Sequence, residues 1–266
     1  DLFYLTRDPL SFRTVSYTIP WHTKNSLEET DDFIAGEMRK YAADVTLIPN
    51  RIQAFRCDSS KPLHHWYSRP KEDDPWYDAN NIVVALPGRE RPDEIIQLVS
   101  HKDSMSWINS PGAHDNCTGA IVNMELVRVL AALPHKRTIR VLFCNEEHAP
   151  WHSLTFAKAA KARGDHILAV LNQDVLASKT AKEIAAGDRV FVSKYSTPEG
   201  QRLAEYLVSL GVKYRLGLTC RVAPKAVCDD DGSFVKAGYL TSVMNGGSAY
   251  DAYHLPIDTP ESVDLV

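Results

Sequence analysis

The chain has 266 residues, enough for one large domain with a buried core, and its 44% hydrophobic and 24% charged residues exclude a disordered, collagen-like or low-complexity protein. A formal net charge of −4 without a run of Lys or Arg excludes a basic surface for nucleic acid or anionic membrane, and every apolar stretch is shorter than the roughly 20 residues of a membrane-spanning helix. The chain begins at Asp1 with neither an initiator Met nor a signal peptide, so we expect a processed form.

The first predicted element is an amphipathic helix over residues 27–41, where apolar side chains from Phe33 to Tyr41 recur at helical spacing. Residues 57–80 follow as a polar segment with several aromatic side chains. We expect a loop insertion there, which either walls a pocket or is an ordinary surface loop.

From residue 80 onward, short apolar runs alternate with helical patterns. Strands are predicted at residues 80–88, 94–101, 138–147, 166–174, 189–193 and 238–245, and helices at residues 116–133, 154–164 and 198–211. This alternation indicates an α/β fold of three layers, α/β/α, whose sheet is mixed but mainly parallel, with antiparallel strands at its edges. Without an internal repeat or a long linker, residues 1–266 are predicted to form a single domain.

The chain contains an odd number of cysteines, five. Cys117 and Cys144 lie in apolar segments and are expected to be small buried residues. Cys220 and Cys228 flank a short loop and either form a disulfide or stay free. A disulfide would suit a secreted or extracytoplasmic protein, which is the location we expect.

Five side chains of metal-binding type occur along the chain, most of them at or just beyond the end of a predicted strand: His101, Asp115, Glu147, Asp174 and His254. Catalytic groups of open α/β sheets collect at the carboxyl ends of the strands. Two imidazoles and three carboxylates suit a pair of zinc-like ions that share one carboxylate.

Each of these side chains also has an interpretation that involves no metal site. His101 and Asp103 point to the same side of an extended segment, so Asp103 either fixes the imidazole of a metal ligand or belongs to a surface pair. Asp115 follows a turn and precedes a helix, where an Asp is commonly an N-cap. Asp174 fits a turn cap, and His254 fits an ordinary loop histidine.

The adjacent Glu146 and Glu147 end a buried strand, where carboxylates are costly unless they are paired or bind metal. Consecutive side chains diverge, so we assign Glu147 to a metal and Glu146 to proton transfer. The alternative is a solvated strand end with two unpaired charges.

The order of these motifs resembles the co-catalytic dizinc aminopeptidases related to bacterial leucyl aminopeptidase, a group that includes glutamate carboxypeptidase and glutaminyl cyclase. The motifs are "HKD", "PGAHDNCTG", "NEEH", "NQD" and "YHLPIDTPE", and "CDDDGSFVKAGYLTSV" is similar to the family's pocket segment. The resemblance covers residues 80–264 and implies the zinc-exopeptidase, phosphorylase/hydrolase-like fold.

The resemblance also implies roles for the ligands. Asp115 would bridge two ions, Glu147 and His254 would complete one site, and His101 with Asp174 would complete the other. Glu146 would be the general base, and the peptide after Asp115 would be strained and possibly cis. The expected cofactor is two zinc ions, or one if the chain resembles the cyclases more closely.

The expected function is that of a metal-dependent exopeptidase, foremost an aminopeptidase that hydrolyses N-terminal peptide bonds with a metal-activated water and Glu146 as base. The partners would be a peptide or small aminoacyl substrate, with no nucleic acid and no membrane span. The alternatives are a glutaminyl cyclase-like zinc acyltransferase, a carboxypeptidase or dipeptidase preference, and a non-catalytic interaction domain.

Substrate-pocket candidates come from the segments that depart from the family pattern or adjoin the ligands. The stretch "HAPWHS" after the two Glu is bulkier than usual, and Asp231 stands where the family often has His. The predicted pocket residues are Trp151, Asp230, Asp231, Phe234 and Tyr253.

Overall fold

A computed structural model describes residues 1–264. The strands are β1 Asp44–Ala54, β2 Arg56–Cys57, β3 Tyr67–Ser68, β4 Tyr77–Leu86, β5 Arg91–His101, β6 Arg137–Cys144, β7 His148–Ala149, β8 His166–Gln173, β9 Val190–Tyr195, β10 Thr219–Pro224 and β11 Ser242–Gly246. The helices are α1 Leu2–Thr6, α2 Ser26–Met38, α3 Thr118–Ala131, α4 His152–Arg163, α5 Ala181–Ala186, α6 Pro198–Lys213 and α7 Asp229–Lys236.

Nine strands form one sheet in the order β10-β9-β11-β8-β5-β6-β4-β1-β7, and β2 pairs with β3 in a separate two-stranded ribbon. Four neighbouring pairs are parallel and four are antiparallel within residues 1–264. The mixed α/β sheet is confirmed. Parallel strands occupy its centre, from β11 to β6, but their share is smaller than expected because β1 and β4 add an antiparallel flank.

The sheet is covered by helices on both faces, which confirms the three-layer architecture. On one face, Ile34 of α2 and Met124 of α3 pack against Phe143 of β6. On the other face, Phe156 of α4 and Phe234 of α7 pack against neighbouring strands. Each such buried side chain contributes about 1.5–3 kcal/mol of transfer free energy, so the core fixes the strand ends from which the site is built.

Most elements from β4 onward lie within a few residues of their predicted bounds, and α2 forms where a helix was expected. Its start is set by Asn25, whose side chain accepts a hydrogen bond from the Glu28 N–H in a capping box. The predicted insertion at residues 57–80 is largely irregular around β2 and β3, although its last residues already belong to β4. Strands β1 and β10 and helices α5 and α7 were not predicted.

The N-terminal segment is held to the sheet by a buried guanidinium. Arg13 is only 1% exposed. It donates hydrogen bonds to the carbonyl oxygens of Leu5 (2.6 Å), Lys102 (2.8 Å), Pro111 (2.6 Å) and Gly112 (2.9 Å). Since a buried cation is tolerated only when its donors are satisfied, these bonds fix the loop that leads to Asp115.

All five cysteines lie in the described part of the chain and are free. The possible disulfide between Cys220 and Cys228 is therefore not formed, and the extracytoplasmic location stays a prediction without that support. Across residues 1–264, we find no helix with the length and hydropathy needed to cross a lipid bilayer.

Candidate metal centre

Three adjacent strands deliver candidate ligands to one edge of the sheet. His101 is the last residue of β5, Glu147 lies three residues beyond the end of β6, and Asp174 directly follows β8. Because β6, β5 and β8 are neighbours and parallel, their carboxyl ends meet at this edge. The other two candidates, Asp115 and His254, come from loops.

Asp115 lies in a kinked turn, Ala113–Cys117, that leads into α3. Its peptide bond to Asn116 is cis, as the resemblance implied. The turn is held by the carboxylate of Asp258, which accepts hydrogen bonds from the backbone N–H groups of His114 (3.0 Å) and Asp115 (3.1 Å). Sequence reasoning missed Asp258, although it stands in the quoted "IDTPE" motif.

The glycine of the "DNCTG" motif lets α3 approach the ligand strand β8. The Asn116 side chain donates to the Gln173 carbonyl (2.8 Å) and accepts from the Gly119 N–H (3.0 Å). A Cβ at Gly119 would lie 2.1 Å from the Gln173 carbonyl oxygen. No side chain fits there, so the motif fixes the position of Asp115 relative to Asp174.

The five predicted ligands converge on two adjacent triads that share Asp115. His101 Nε2 lies 3.0 Å from Asp115 Oδ1 and 3.6 Å from Asp174 Oδ1. His254 Nε2 lies 3.2 Å from Asp115 Oδ2 and 3.4 Å from Glu147 Oε1. All five side chains are buried, and the ligand atoms of each triad lie within 4.8 Å of one another.

The carboxylate of Asp103 orients His101 on the side of the ring that faces away from the triad. It accepts hydrogen bonds from His101 Nδ1 (3.1 Å), His148 Nδ1 (2.6 Å) and the backbone N–H groups of Glu146 (3.1 Å) and Glu147 (2.9 Å). Burial raises the pKa of Asp103, but the bonds from His101 and His148 outweigh it and hold the pKa well below its ordinary value. Asp103 is therefore ionised and leaves His101 Nε2 free to face the site.

His254 is oriented by residues 57–80, the segment that was predicted to be a loop insertion. Its Nδ1 donates to the backbone carbonyl of His64 (2.8 Å), so Nε2 is left for the site. The rings of Trp107 and Tyr253 pack against it, the second at 3.7 Å between centroids. His64 and His148 were both missed from the sequence, because each acts through a contact with a distant segment.

The charges of the triads fit a metal-binding site. Burial lowers the pKa of His254, but Glu147 and Asp115 outweigh it and raise the pKa to about 10. Burial raises the pKa of Asp174, with His101 opposing it, and Asp174 Oδ1 is buried without a hydrogen bond among the described residues. A bound cation would stabilise such a buried carboxylate oxygen, and mixed imidazole and carboxylate donors are those zinc accepts.

Glu146 is buried beside the triads and faces the same cavity. Its Oε2 accepts a hydrogen bond from the backbone N–H of Asp230 (3.0 Å) at the start of α7. Burial, followed by the negative charges of Asp230 and Asp229, raises the pKa of Glu146 well above its ordinary value. A carboxyl group whose pKa is raised in this way is suited to taking up and returning a proton.

A cavity of about 660 Å³ opens over the triads. Its wall includes residues that the sequence did not single out: His64, Lys194, Lys225, Asp229, Met244 and Asp251. Among the five predicted pocket residues, Tyr253 lines this cavity. Loop and strand positions thus supply most of the wall.

The other four predicted pocket residues do not line this cavity. Phe234 is fully buried in the core, and Asp231 pairs with Lys225 (2.7 Å). Asp230 touches Glu146 only through its backbone, and Trp151 lies at the start of α4. For the three residues on α7 the rotation of the helix is the cause, since it turns Asp229 rather than Asp230 or Asp231 to the cavity.

A model of peptidase family M28 matches residues 81–265, a stretch that contains both triads and Glu146. The chain belongs to peptidase family M28. Our resemblance to the dizinc aminopeptidase group is thereby confirmed. The matched stretch is most of the chain, and the segment before it includes Arg13 and the ribbon of β2 and β3.

Similar proteins include a probable zinc metalloprotease of Pyricularia oryzae, 28% identical over 56% of this chain and 29% of its own length. A probable aminopeptidase of Saccharomyces cerevisiae is 29% identical over 62% of this chain and 46% of its own length. The M28 chain thus spans less than half the length of these relatives.

Two solved structures from Bacteroides thetaiotaomicron share the fold. A leucine aminopeptidase precursor superposes with a TM-score of 0.69 at 13% identity, covering 91% of this chain and 84% of its own. A glutaminyl cyclase bound to N-acetylhistamine superposes with a TM-score of 0.68 at 13% identity, covering 90% and 84%. Both similarities concern the fold alone.

Proposed function

We propose that this M28 chain is a zinc-dependent aminopeptidase with a two-ion centre. The observation that carries the proposal is the pair of buried triads that share Asp115 and lie beside Glu146 in one cavity. The names of relatives support zinc and aminopeptidase chemistry.

One ion would be held by His101, Asp115 and Asp174, and the other by Asp115, Glu147 and His254. A bound zinc pair supplies a lowered pKa for water and a polarised substrate carbonyl. Asp103 and the His64 carbonyl would keep the two imidazoles in the tautomer that offers Nε2.

Glu146 would act as general base and then as general acid. Its carboxyl group lies in the cavity wall next to the triads, where it can take a proton from the attacking water and return it to the leaving amine. The hydrogen bond from the Asp230 N–H holds Oε2, so Oε1 would be the oxygen that exchanges the proton.

Tyr253 would donate a hydrogen bond to the substrate. Burial, followed by the charges of Asp115 and Glu147, raises the pKa of Tyr253 well above its ordinary value, so the phenol is neutral. Since its ring stacks on His254 and lines the cavity, its hydroxyl would stabilise negative charge that develops on the carbonyl oxygen.

A glutaminyl cyclase-like acyl transfer is the second candidate, and the fold shared with the Bacteroides cyclase favours its inclusion. The two activities differ in metal demand and in product. Two complete triads support the peptidase, because in a cyclase with a single ion one of the triads would bind no metal.

The decisive experiment combines elemental analysis of zinc with a substrate panel. The panel holds aminoacyl nitroanilides, N-blocked peptides, dipeptides and peptides that begin with Gln. Two zinc ions per chain with cleavage of free-amine substrates are expected. One zinc ion with cyclisation of the Gln peptides, or preferred cleavage of blocked peptides from the carboxyl end, would contradict the proposal.

A further inference from the structure

Lys194 brings a cation into the wall of the same cavity. It lies on β9 between Met244 of β11 and Ala223 of β10, and its side chain is half-buried. Both Lys194 and Met244 line the cavity with Glu146 and Asp174.

The sheet register sets the distance of Lys194 from the metal triads. Met244 pairs with both Lys194 and Asn172, so these residues form one row across β9, β11 and β8. Asp174 lies two residues beyond Asn172. With ordinary strand spacing, the Cα atoms of Lys194 and Asp174 are about 12 Å apart. An extended lysine spans half of that gap, which leaves room for one substrate residue.

Within residues 1–264, the ammonium group of Lys194 forms no ion pair and no hydrogen bond. The neighbouring Lys225, by contrast, contacts Asp229 (2.8 Å), Asp231 (2.7 Å) and the Cys228 carbonyl (2.9 Å). Asp251 also lines the cavity but is exposed and lies outside ion-pair range of Lys194. Among the described residues of the cavity wall, Lys194 is thus a cation without a direct partner.

We propose that the Lys194 ammonium binds a substrate carboxylate one residue away from the scissile bond. The inference rests on the proposed function and specifies its substrate class as peptides with a carboxylate within one residue of the scissile bond. The carboxylate belongs either to an acidic N-terminal side chain or to the C-terminus of a dipeptide, and both would form a charge-assisted hydrogen bond in a partly dry site.

The experiment compares matched substrates that differ only in this carboxylate. The first arm compares the Asp nitroanilide with the Asn nitroanilide, and the Glu nitroanilide with the Gln nitroanilide. The other arm pairs Ala-Leu with Ala-Leu amide. The zinc-loaded enzyme is measured as wild type, Lys194→Met and Lys194→Arg, with Lys158→Met as the matched control because Lys158 is exposed on α4.

In one of the two substrate sets, the wild type is expected to have a higher kcat/KM for the substrate with the carboxylate than for its neutral partner. The difference should arise mainly from a lower KM. In Lys194→Met that preference falls about tenfold, the typical worth of one hydrogen bond to a charged group. Lys194→Arg retains most of it, and Lys158→Met retains all of it. The arm that responds identifies which carboxylate is bound. Equal kcat/KM within every pair, or an undiminished preference in Lys194→Met, overturns the inference.

A binding measurement separates this inference from the proposed function. Glutamyl and glutaminyl hydroxamates are titrated calorimetrically into the same zinc-loaded variants, which requires no turnover. Tighter binding of the glutamyl ligand that is lost in Lys194→Met supports the carboxylate site even if no substrate in the panel is cleaved. Equal binding of the two hydroxamates by the wild type contradicts it for side chains even if the enzyme is an active aminopeptidase.

Discussion

Replacing Asp103 by Asn tests how the centre is held together. The carboxylate is fully buried and accepts hydrogen bonds from two imidazoles and two backbone N–H groups. In Asp103→Asn one oxygen still accepts, but the new NH2 group faces two donors. Leaving two buried donors without an acceptor costs about 2–5 kcal/mol of unfolding free energy.

The same substitution should weaken zinc binding, because His101 loses the partner that fixes its tautomer. Loss of such a partner typically lowers metal affinity about 10- to 100-fold. Denaturant unfolding of the zinc-free protein and competitive zinc titration measure the two effects separately. Asp78→Asn is the matched control, since the Asp78 side chain is 91% exposed.

Asp103→Asn should lose both stability and zinc affinity, while Asp78→Asn should lose neither. An Asp103→Asn protein with the stability and zinc affinity of the wild type would refute the idea that this carboxylate organises the site. Loss of stability alone would restrict Asp103 to a structural role.

Three further predictions follow from the contacts. Glu146→Gln keeps its zinc, measured by elemental analysis, but loses at least about 100-fold in kcat as expected for a general base, and near-normal turnover would exclude that role. Arg13→Met leaves four carbonyl groups without their donor and lowers the unfolding free energy by about 3–5 kcal/mol in urea titration, a loss that Arg128→Met on the surface of α3 should not show. Burial raises the pKa of Glu183, but hydrogen bonds from Thr180, Arg221 and Ser248 outweigh it and lower the pKa from 4.5 to about 2. Glu183 therefore stabilises the fold above pH 4.5, and the stability difference between wild type and Glu183→Gln should shrink as the pH falls from 4.5 towards 2; a difference independent of pH would contradict the assignment.

The convergence of three candidate ligands, His101, Glu147 and Asp174, was predictable because each stands at or just beyond the end of a strand pattern. A buried apolar run that stops at His101 or Asp174 places the next polar side chain at the sheet edge, whatever the register. The partners behind the ligands were not predictable. Asp258, His148 and His64 act through contacts with segments 45 to 190 residues away, and such contacts depend on tertiary packing.

The missed elements also have physical reasons. β1 alternates between exposed and half-buried positions along much of its length and contains Pro49, so it lacks the apolar run of a central strand. The acidic start of α7 hides its helical pattern, because three Asp occupy the first turn. The predicted pocket residues Asp230, Asp231 and Phe234 do not line the cavity because of the rotation of this helix, which sequence spacing alone does not determine.

The central claim is that the two triads bind a pair of zinc ions through Asp115. A crystal structure of the zinc-loaded protein, with anomalous scattering recorded at the zinc edge, tests it most directly. We predict two zinc peaks, both ligated by Asp115, one also by His101 and Asp174 and the other by Glu147 and His254. A single peak that leaves one triad without metal, or peaks outside both triads, would contradict the claim.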